Sequence, residues 1–528
     1  MQGKFPFSAI ALTFVFSASF SQTFERTFGS TATEIGTCIQ NTLDGNYIIC
    51  GSANGFSNAY ADYYLVKVNS AGTLLWSKNY GGTNHDRAYY VSTCSDGGFI
   101  MTGYTLSTSA GNNEDVYLVR TDSNGSLLWS TSVGGSKDDL GWYVLEANDG
   151  GFIVSGSSKS FTGGSWDGYI VKVNSAGVLQ WTKVMGGSST DVFNGMSKTT
   201  DGGYIITGET MTNSFGSTDM MLVKINSDGD TLWTKQYGKI TEDAGNAVTQ
   251  TADGGYIIVG DMHTYPNSGD HNACLLKTDS DGAMQWVKLY GSNPGTEIAW
   301  AVRQTPDNGY VMLASSYFYG AGNADMLLIR TDNSGGLKWA KTYGSSGFDD
   351  VWYFQKTANE GNMIIGATQS YGSGQADIYL VRTDSLGNTS CDTSSVIPFV
   401  NTPTLQFRSG FTITTGGTAS TPTTTSSSPS TLSTDPCNKV SVSEDPTITQ
   451  DVVVYPNPFS ESALIKIADL SEETILKVYD VFGQEIKLVL TRNSDGFLIR
   501  KNNLSQGIYF YILHSAGKAI ITGKFVIE

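Results

Sequence analysis

The sequence predicts an all-β protein whose main body is a seven-bladed propeller of about 52 residues and four strands per blade, closed by its N-terminal strand. Three observations carry that expectation. Trp76, Trp129, Trp181, Trp233, Trp286 and Trp339 fall 53, 52, 52, 53 and 53 residues apart, and a repeat near 50 residues with several strand-like runs is the spacing of a propeller blade. Two turn motifs recur in phase with the tryptophans. The composition, with 61 glycines and only 15% charged residues, suits short strands joined by tight turns.

Aligning the repeats on tryptophan gives four strand signals per unit, seen well at 191–199, 203–208, 220–225 and 231–237. The first hairpin carries Asp-Gly, as at Asp44-Gly45, Asp96-Gly97, Asp149-Gly150, Asp201-Gly202 and Asp253-Gly254, which supplies the positive φ that tight hairpins need. The last hairpin repeats a second turn ending in Gly72, Gly125, Gly177, Gly229, Gly282, Gly335 and Gly387. Runs such as 256–259 are apolar without alternation, the mark of strands buried on both faces. The tryptophan on the fourth strand is expected to fill the gap between blades.

The ends set the blade count. The first three strands occur seven times, the last copy spanning 349–382, and Cys391 stands where an eighth tryptophan would fall. At the other end Phe24 lies 52 residues before Trp76, and 24–29 reads as a fourth strand with no strands before it. It is expected to complete the last blade, giving a propeller over 22–390 with no exposed sheet edge at its seam.

Residues 1–21 read as a secretory signal peptide: Lys4, an apolar stretch over 7–16, then small Ser19 and Ser21 before Gln22. A net charge of −17 excludes nucleic acid as a partner, since phosphates require basic patches. No later stretch is long and apolar enough for a membrane span. Residues 391–446 are rich in Ser, Thr and Pro and read as a linker, with too little apolar surface to offset ordering entropy. None of the six cysteines forms a Cys-x-x-Cys pair, and Cys391–Cys437 is the disulfide expectation.

From Val452 strand patterns resume, with a proline turn at Tyr455-Pro456-Asn457-Pro458, then 477–480 with Phe482-Gly483-Gln484, Gly507 with Tyr509, and Lys524 near the terminus. Over 447–528 the chain resembles the type A C-terminal sorting domain of the type IX secretion system of Bacteroidota. The resemblance implies a small Ig-like β-sandwich recognised by the outer-membrane translocon and removed by a sorting protease. The cargo is then released or attached to surface lipopolysaccharide.

In an up-and-down blade the blade-to-blade connections share a face with the loops between second and third strands. That face is the longer and more variable one, hence the expected functional face. Carboxylates stand before the first strand in every unit (Glu34, Asp86, Asp139, Asp191, Asp243, Glu297, Asp349), and Asp62, Asp115, Asp167, Asp219, Asp325 and Asp377 precede the third strand in six. Repetition marks them as turn caps, with calcium ligation by a few of them as the alternative. His263 and His271 flank a loop found only in the fifth unit, near Asp261 and Asp270. A solvated loop is the first reading there and a metal site the second. No nucleophile–base arrangement, cofactor fingerprint or sialidase-type Asp-box is present.

Unit-specific aromatics remain. Three residues after the first-strand carboxylate stand Tyr89, Trp142, Trp300 and Trp352, where other units have Thr37, Asn194 and Asn246; the loops add Trp166, Tyr317 and Tyr319. Aromatic faces among polar side chains suit a glycan or a protein ligand. Packing between blades is the competing role for the tryptophans of the first strand. The functional expectation is a secreted or surface-held, non-enzymatic binding propeller. Its rivals are a propeller enzyme acting on polysaccharide, a quinoprotein-like oxidoreductase, and a structural adhesion component.

Overall fold

The computed structural model describes residues 23–390 apart from 55–59, 108–112, 162–164, 264–269 and 374, and beyond 390 the strands given below with the turns beside them. The signal-peptide region, Cys391, Cys437 and Gly483 lie outside the described residues. Two compact units divide the chain at Cys437 and Asn438.

The first unit contains seven antiparallel sheets in a propeller-like array. Their first strands are Glu34–Asn41, Asp86–Thr93, Asp139–Glu146, Asp191–Lys198, Asp243–Gln250, Glu297–Gln304 and Asp349–Lys356. Second, third and fourth strands follow by short hairpins, as in Tyr204–Thr210, Asp219–Ile225 and Thr231–Gly238. In the seventh sheet Asp377–Arg382 pairs instead with Phe24–Gly29, in register from Phe24 opposite Arg382 to Phe28 opposite Ile378. The first strands of successive sheets pack on one another, and that of the first sheet packs on that of the seventh. They are therefore the inner strands, and the fourth strands lie outside.

Turn chemistry explains the hairpins. Gly45, Gly97, Gly150, Gly202 and Gly254 take positive φ, and where the sixth and seventh units lack that glycine, Asn308 and Glu360 adopt φ of 60°. In the first six sheets the aspartate of the first hairpin also pairs with a buried cation on the third strand. Lys67–Asp44, Arg120–Asp96, Lys172–Asp149, Lys224–Asp201 and Lys277–Asp253 lie at 2.6–2.9 Å, and Arg330–Asp307 repeats the pair. Each cation enters the sheet with its apolar stem and needs that partner to be buried at low cost.

The periodic tryptophans are half-buried, and each covers the second-turn glycine of the next sheet. An added Cβ at Gly229 (φ 77°) would fall 2.3 Å from the Trp181 ring, and one at Gly125 would fall 2.9 Å from Trp76. In four of the six tryptophan units a tyrosine four residues on donates to the same turn, as Tyr80 to Gly125 O at 2.6 Å and Tyr343 to Gly387 O at 2.7 Å. Phe24 takes the tryptophan's place against Gly72, where a Cβ would sit 2.5 Å from its ring. The seventh sheet thereby abuts the first.

Seven pieces of the segment expected to be a linker are instead strands of the sheets. Ser394–Val396, Phe399–Asn401, Gln406–Arg408, Thr412–Thr414, Thr418–Ser420, Thr425–Ser427 and Leu432–Thr434 are three-residue strands. They add to the outer strands of the sixth, fifth, fourth, third, second, first and seventh sheets in that order. Each sheet is thus five-stranded, where four were expected. A strand added at an edge gains backbone hydrogen bonds, which polar residues supply as well as apolar ones. A few side chains anchor it: Leu405 enters the core, and Lys288 donates to Thr402 Oγ1 at 2.7 Å.

The second unit holds two four-stranded antiparallel sheets. Val452–Tyr455, Ser462–Ile467, Gly496–Arg500 and Thr491–Asn493 form one; Glu485–Ile486, Ile475–Tyr479, Gly507–Ser515 and Lys518–Ile527 form the other. Phe459, Ile465, Val478, Ile499, Leu513 and Phe525 share one core.

Three truncations test this arrangement by thermal melting and light scattering. Removal of Phe24–Gly29 exposes one edge of the seventh sheet and its abutment on Gly72, so a large stability loss or aggregation is expected. Ending the chain at Cys437 should leave the melt of the first unit unchanged. Ending it at Ser390 should lower the melting temperature and promote association through seven uncovered edges.

Candidate functional site

Each first strand begins at the face where neighbouring sheets connect. The carboxylate residue that opens it bonds through its N–H to the residue before a third strand, as Asp139 N to Glu114 O, Asp191 N to Trp166 O and Asp349 N to Ala324 O. Blade connections and second loops therefore share one face. Three residues further in, every first strand has a bulge against its second strand. Pairing skips from Gly36 to Cys38, Ala88 to Tyr90, Gly141 to Tyr143, Phe193 to Gly195, Gly245 to Ala247, Ala299 to Ala301 and Val351 to Tyr353. The residues left out are Thr37, Tyr89, Trp142, Asn194, Asn246, Trp300 and Trp352. A bulge frees one residue from the ladder and re-aims its side chain, so these seven residues occupy equivalent places on the inner strands, one per sheet.

Their roles divide. Thr37 Oγ1 donates to Ala88 O (3.1 Å), Asn194 Nδ2 to Gly245 O (3.2 Å) and Asn246 Nδ2 to Ala299 O (3.1 Å), each tying its sheet to the next. Tyr89 and Trp142 stack with centroids 4.3 Å apart. Trp300 Nε1 donates to Ser315 Oγ at 3.0 Å, and that hydroxyl donates to the half-buried Asp350 carboxylate. Tyr89, Trp142, Trp300 and Trp352 are each half-buried, so the competing role as packing between sheets accounts for part of each ring only.

One residue deeper lies a feature the sequence did not disclose. Tyr90 of the second sheet reaches Tyr353 of the seventh, their hydroxyls 3.1 Å apart, and Tyr143 packs on Tyr90 at 4.3 Å. Gln40 Nε2 donates to Tyr90 Oη at 2.9 Å, and Gln355 Nε2 donates to Gln40 Oε1 at 2.7 Å. Sheets that are not neighbours meet here, so these side chains fill the centre of the array beneath the bulges. Burial pushes the Tyr90 and Tyr143 hydroxyls well up, and Tyr353 up to about 12. Only the fixed offset of aromatic pairs (89–90, 142–143, 352–353) hinted at them.

The recurring carboxylates act as caps. Gly82 N, Gly135 N, Gly187 N and Ser345 N donate to Asp86, Asp139, Asp191 and Asp349 at 2.7–2.8 Å. Hydroxyls of Ser107, Ser160, Thr212 and Ser370 add bonds of 2.6–2.8 Å. The aspartates before the third strands press on the glycine ending the fourth strand; a Cβ at Gly134 would lie 2.0 Å from Asp115 Oδ1 and 2.9 Å from Asp139 Oδ2. Burial, reinforced by the neighbouring carboxylates, pushes Asp115 and Asp167 up to about 7. Burial raises Asp243 to about 7 and Asp325 to about 6.

The loop aromatics do not form one platform. Trp166 is half-buried beneath the Lys159 ammonium, 4.2 Å from its centroid. Tyr319 is pinned by its hydroxyl to Gly291 O at 3.0 Å. Tyr317 is exposed beside Phe348, with Phe318 exposed next to it. In the fifth sheet His263 pairs directly opposite His271, and Glu242, which the sequence reading passed over, stands with them. Desolvation and the facing His271 push His263 down, whereas the bond to Asp261 raises His271. A cavity of about 440 Å³ lies on the opposite face, lined by Asp149, Lys172, Asp201, Tyr204 and Asp228. It holds none of the candidate residues.

In the second unit Tyr455, Gly507 and Lys524 are exposed, and Tyr509 is buried with its ring stacked on Phe525 at 5.6 Å. Asn457 locks the proline turn to the last strand, its Oδ1 accepting from Val526 N at 2.8 Å. Pro456 and Pro458 flank it within that turn. Residues 453–528 match the family model of the secretion system C-terminal sorting domain. This chain carries a type IX secretion sorting domain. It is an exported protein of Bacteroidota type, secreted or held at the outer-membrane surface, with a β-rich repeat fold. Among the described residues no helix is long and apolar enough to cross a membrane.

A stretch of 130 residues is 25% identical to the regulatory protein FlaEY of Caulobacter vibrioides, covering 21% of this chain and 14% of that relative. Among solved structures the chain is similar to PorZ of Porphyromonas gingivalis, described as an essential bacterial surface component of the type IX secretion system. Identity is 11%, TM-score 0.39, with 92% of this chain and 58% of that chain covered. It is also similar to a protein of unknown function from Dyadobacter fermentans, at 11% identity and TM-score 0.37, covering 68% and 98%.

The carboxylate shifts set a pH dependence. Asp115, Asp167 and Asp243 keep a proton in the folded chain up to about pH 7, whereas the reference value for the free group is 3.8. Folding therefore binds protons over that window, and stability falls as pH rises from about 4 to 7. The hairpin aspartates act oppositely. Hydrogen bonds and the Lys224 charge hold Asp201 down at about 2, and that contribution, reduced by solvent screening, is lost as pH falls from about 4 through 2. Melting temperatures measured from pH 3 to 8 should peak near pH 4–5. A steady climb to pH 7.5 would contradict the assignment.

Proposed function

We propose that the seven sheets form a closed seven-bladed propeller that binds a glycan at the centre of its connection face without catalysing a reaction. The observation that carries this reading is the set of seven bulges, which brings Tyr89, Trp142, Trp300 and Trp352 to equivalent inner positions above the tyrosine-filled centre. Half-exposed indole and phenol faces stack on sugar rings. Exposed Tyr317 and Phe318 extend the surface at the rim. A non-catalytic role is supported by the engagement of the recurring carboxylates in caps. Export precedes binding: the translocon reads the second unit, and a sorting protease separates it from the cargo.

Two experiments test these readings. A glycan array with the full chain should yield a ligand whose binding is lost in Trp300→Ala with Trp352→Ala, at a stability cost near ~1 kcal/mol for each substitution. Trp233→Ala, which removes the contact on Gly282, should cost about 3 kcal/mol and serves as the structural control. Binding that survives the double substitution, or that fails only when the protein unfolds, rejects the site. Separately, intact-mass measurement of surface-extracted protein should show an N-terminus at Gln22 and loss of the sorting domain; a full-length cytoplasmic product would reject that processing.

A further inference from the structure

The hairpin joining the second and third strands of the fifth sheet runs one residue pair beyond Met262–Asn272, and both added residues are histidines, His263 opposite His271. Their rings meet edge to face with centroids 3.8 Å apart. Glu242, in the connection entering the same sheet, is held beneath them because its carbonyl accepts from His263 N at 3.1 Å. One ligand-capable atom from each of Glu242, His263 and His271 lies within 4.8 Å of the other two.

We propose that His263, His271 and Glu242 bind a divalent transition-metal ion of the zinc class, with Asp261 orienting His271. Four observations converge on it. His271 Nδ1 meets Asp261 Oδ2 at 2.6 Å, and a carboxylate taking the Nδ1 proton leaves Nε2 as the nitrogen free for a metal, the arrangement that accompanies most ligating histidines. His263 Nε2 is sealed from solvent and makes no hydrogen bond of good geometry among the described residues, although it faces a carboxylate. Its distance to Glu242 Oε2 is 3.4 Å. That matches the ligand-to-ligand edge of about 3.3 Å expected of a tetrahedron with bonds of about 2.0–2.1 Å. Charge also agrees: the Glu209 and Asp261 carboxyls lie near Glu242, and the Lys239 ammonium donates to His263 O at 2.8 Å.

The donor set selects the ion. Two imidazoles and one carboxylate suit zinc and its neighbours, whereas calcium requires an all-oxygen shell. Three protein ligands leave a fourth position for water or for a group of a bound partner. The site lies on the connection face, with the bulge residues, yet shares no side chain with them.

The test uses the full chain, stripped with a chelator and dialysed against zinc with excess calcium present. One equivalent of zinc should remain per chain, and cobalt in its place should give the intense visible absorption of a four-coordinate ion. His263→Ala and His271→Ala should each abolish retention, and Asp261→Asn should weaken it about 10–100-fold. His85→Ala, in another sheet, should retain the full equivalent. Glu242→Gln guards against misfolding, because this exposed side chain can change without altering the melt of the metal-free chain, and it too should lose zinc. Failure of the unsubstituted chain to retain zinc overturns the proposal. So does retention that persists in His263→Ala or Glu242→Gln.

Discussion

An aromatic ring laid on a glycine turn governs the geometry of the array. Each turn glycine, such as Gly229 or Gly125, sits so close to a tryptophan of the preceding sheet that no side chain fits. In four of the six tryptophan units a tyrosine four residues along fixes the same turn by a hydrogen bond. Spacing and tilt between sheets are thereby set at the outer hairpins. The inner strands then pack side by side. Everything nearer the centre inherits its position from those contacts, including the bulges and the tyrosines below them.

The same economy of space shapes the connection face. A glycine ends almost every fourth strand because two acidic side chains from adjoining elements cross over it, as Asp115 and Asp139 do at Gly134. These groups hold the connections taut, so the loops that vary between units rise from a fixed rim. Local differences, such as the stacked Tyr89–Trp142 pair or the doubled histidines of the fifth sheet, then arise without disturbing the frame. Such a division between repeated support and variable surface is how solenoids and propellers diversify.

Much of this was legible from residue order. The tryptophan period, the Asp-Gly turns and the position of Phe24 foretold strand order and the pairing of Phe24–Gly29 with Asp377–Arg382. The offset of three residues picked out Tyr89, Trp142, Trp300 and Trp352, although nothing in the composition says that the offset is a bulge. The outer fifth strands were not legible. Judging 391–446 by apolar content weighs burial alone, whereas edge addition draws on main-chain groups that every residue but proline possesses. Glu242 escaped for another reason: it lies 21 residues before His263 in sequence and reaches it only through strand pairing.

The fifth strands have a mechanical corollary. The final one, Leu432–Thr434, pairs with Thr27–Gly29, so the segment leading to the second unit leaves the sheets from the one that holds the N-terminal strand. Tension applied through that segment falls first on three residue pairs, then on the next three in the first sheet, and so on around the array. The load is met in small successive steps, each ahead of the four-stranded sheet behind it. Seven short pairings in series can thus yield to load one at a time while the sheets behind them stay whole.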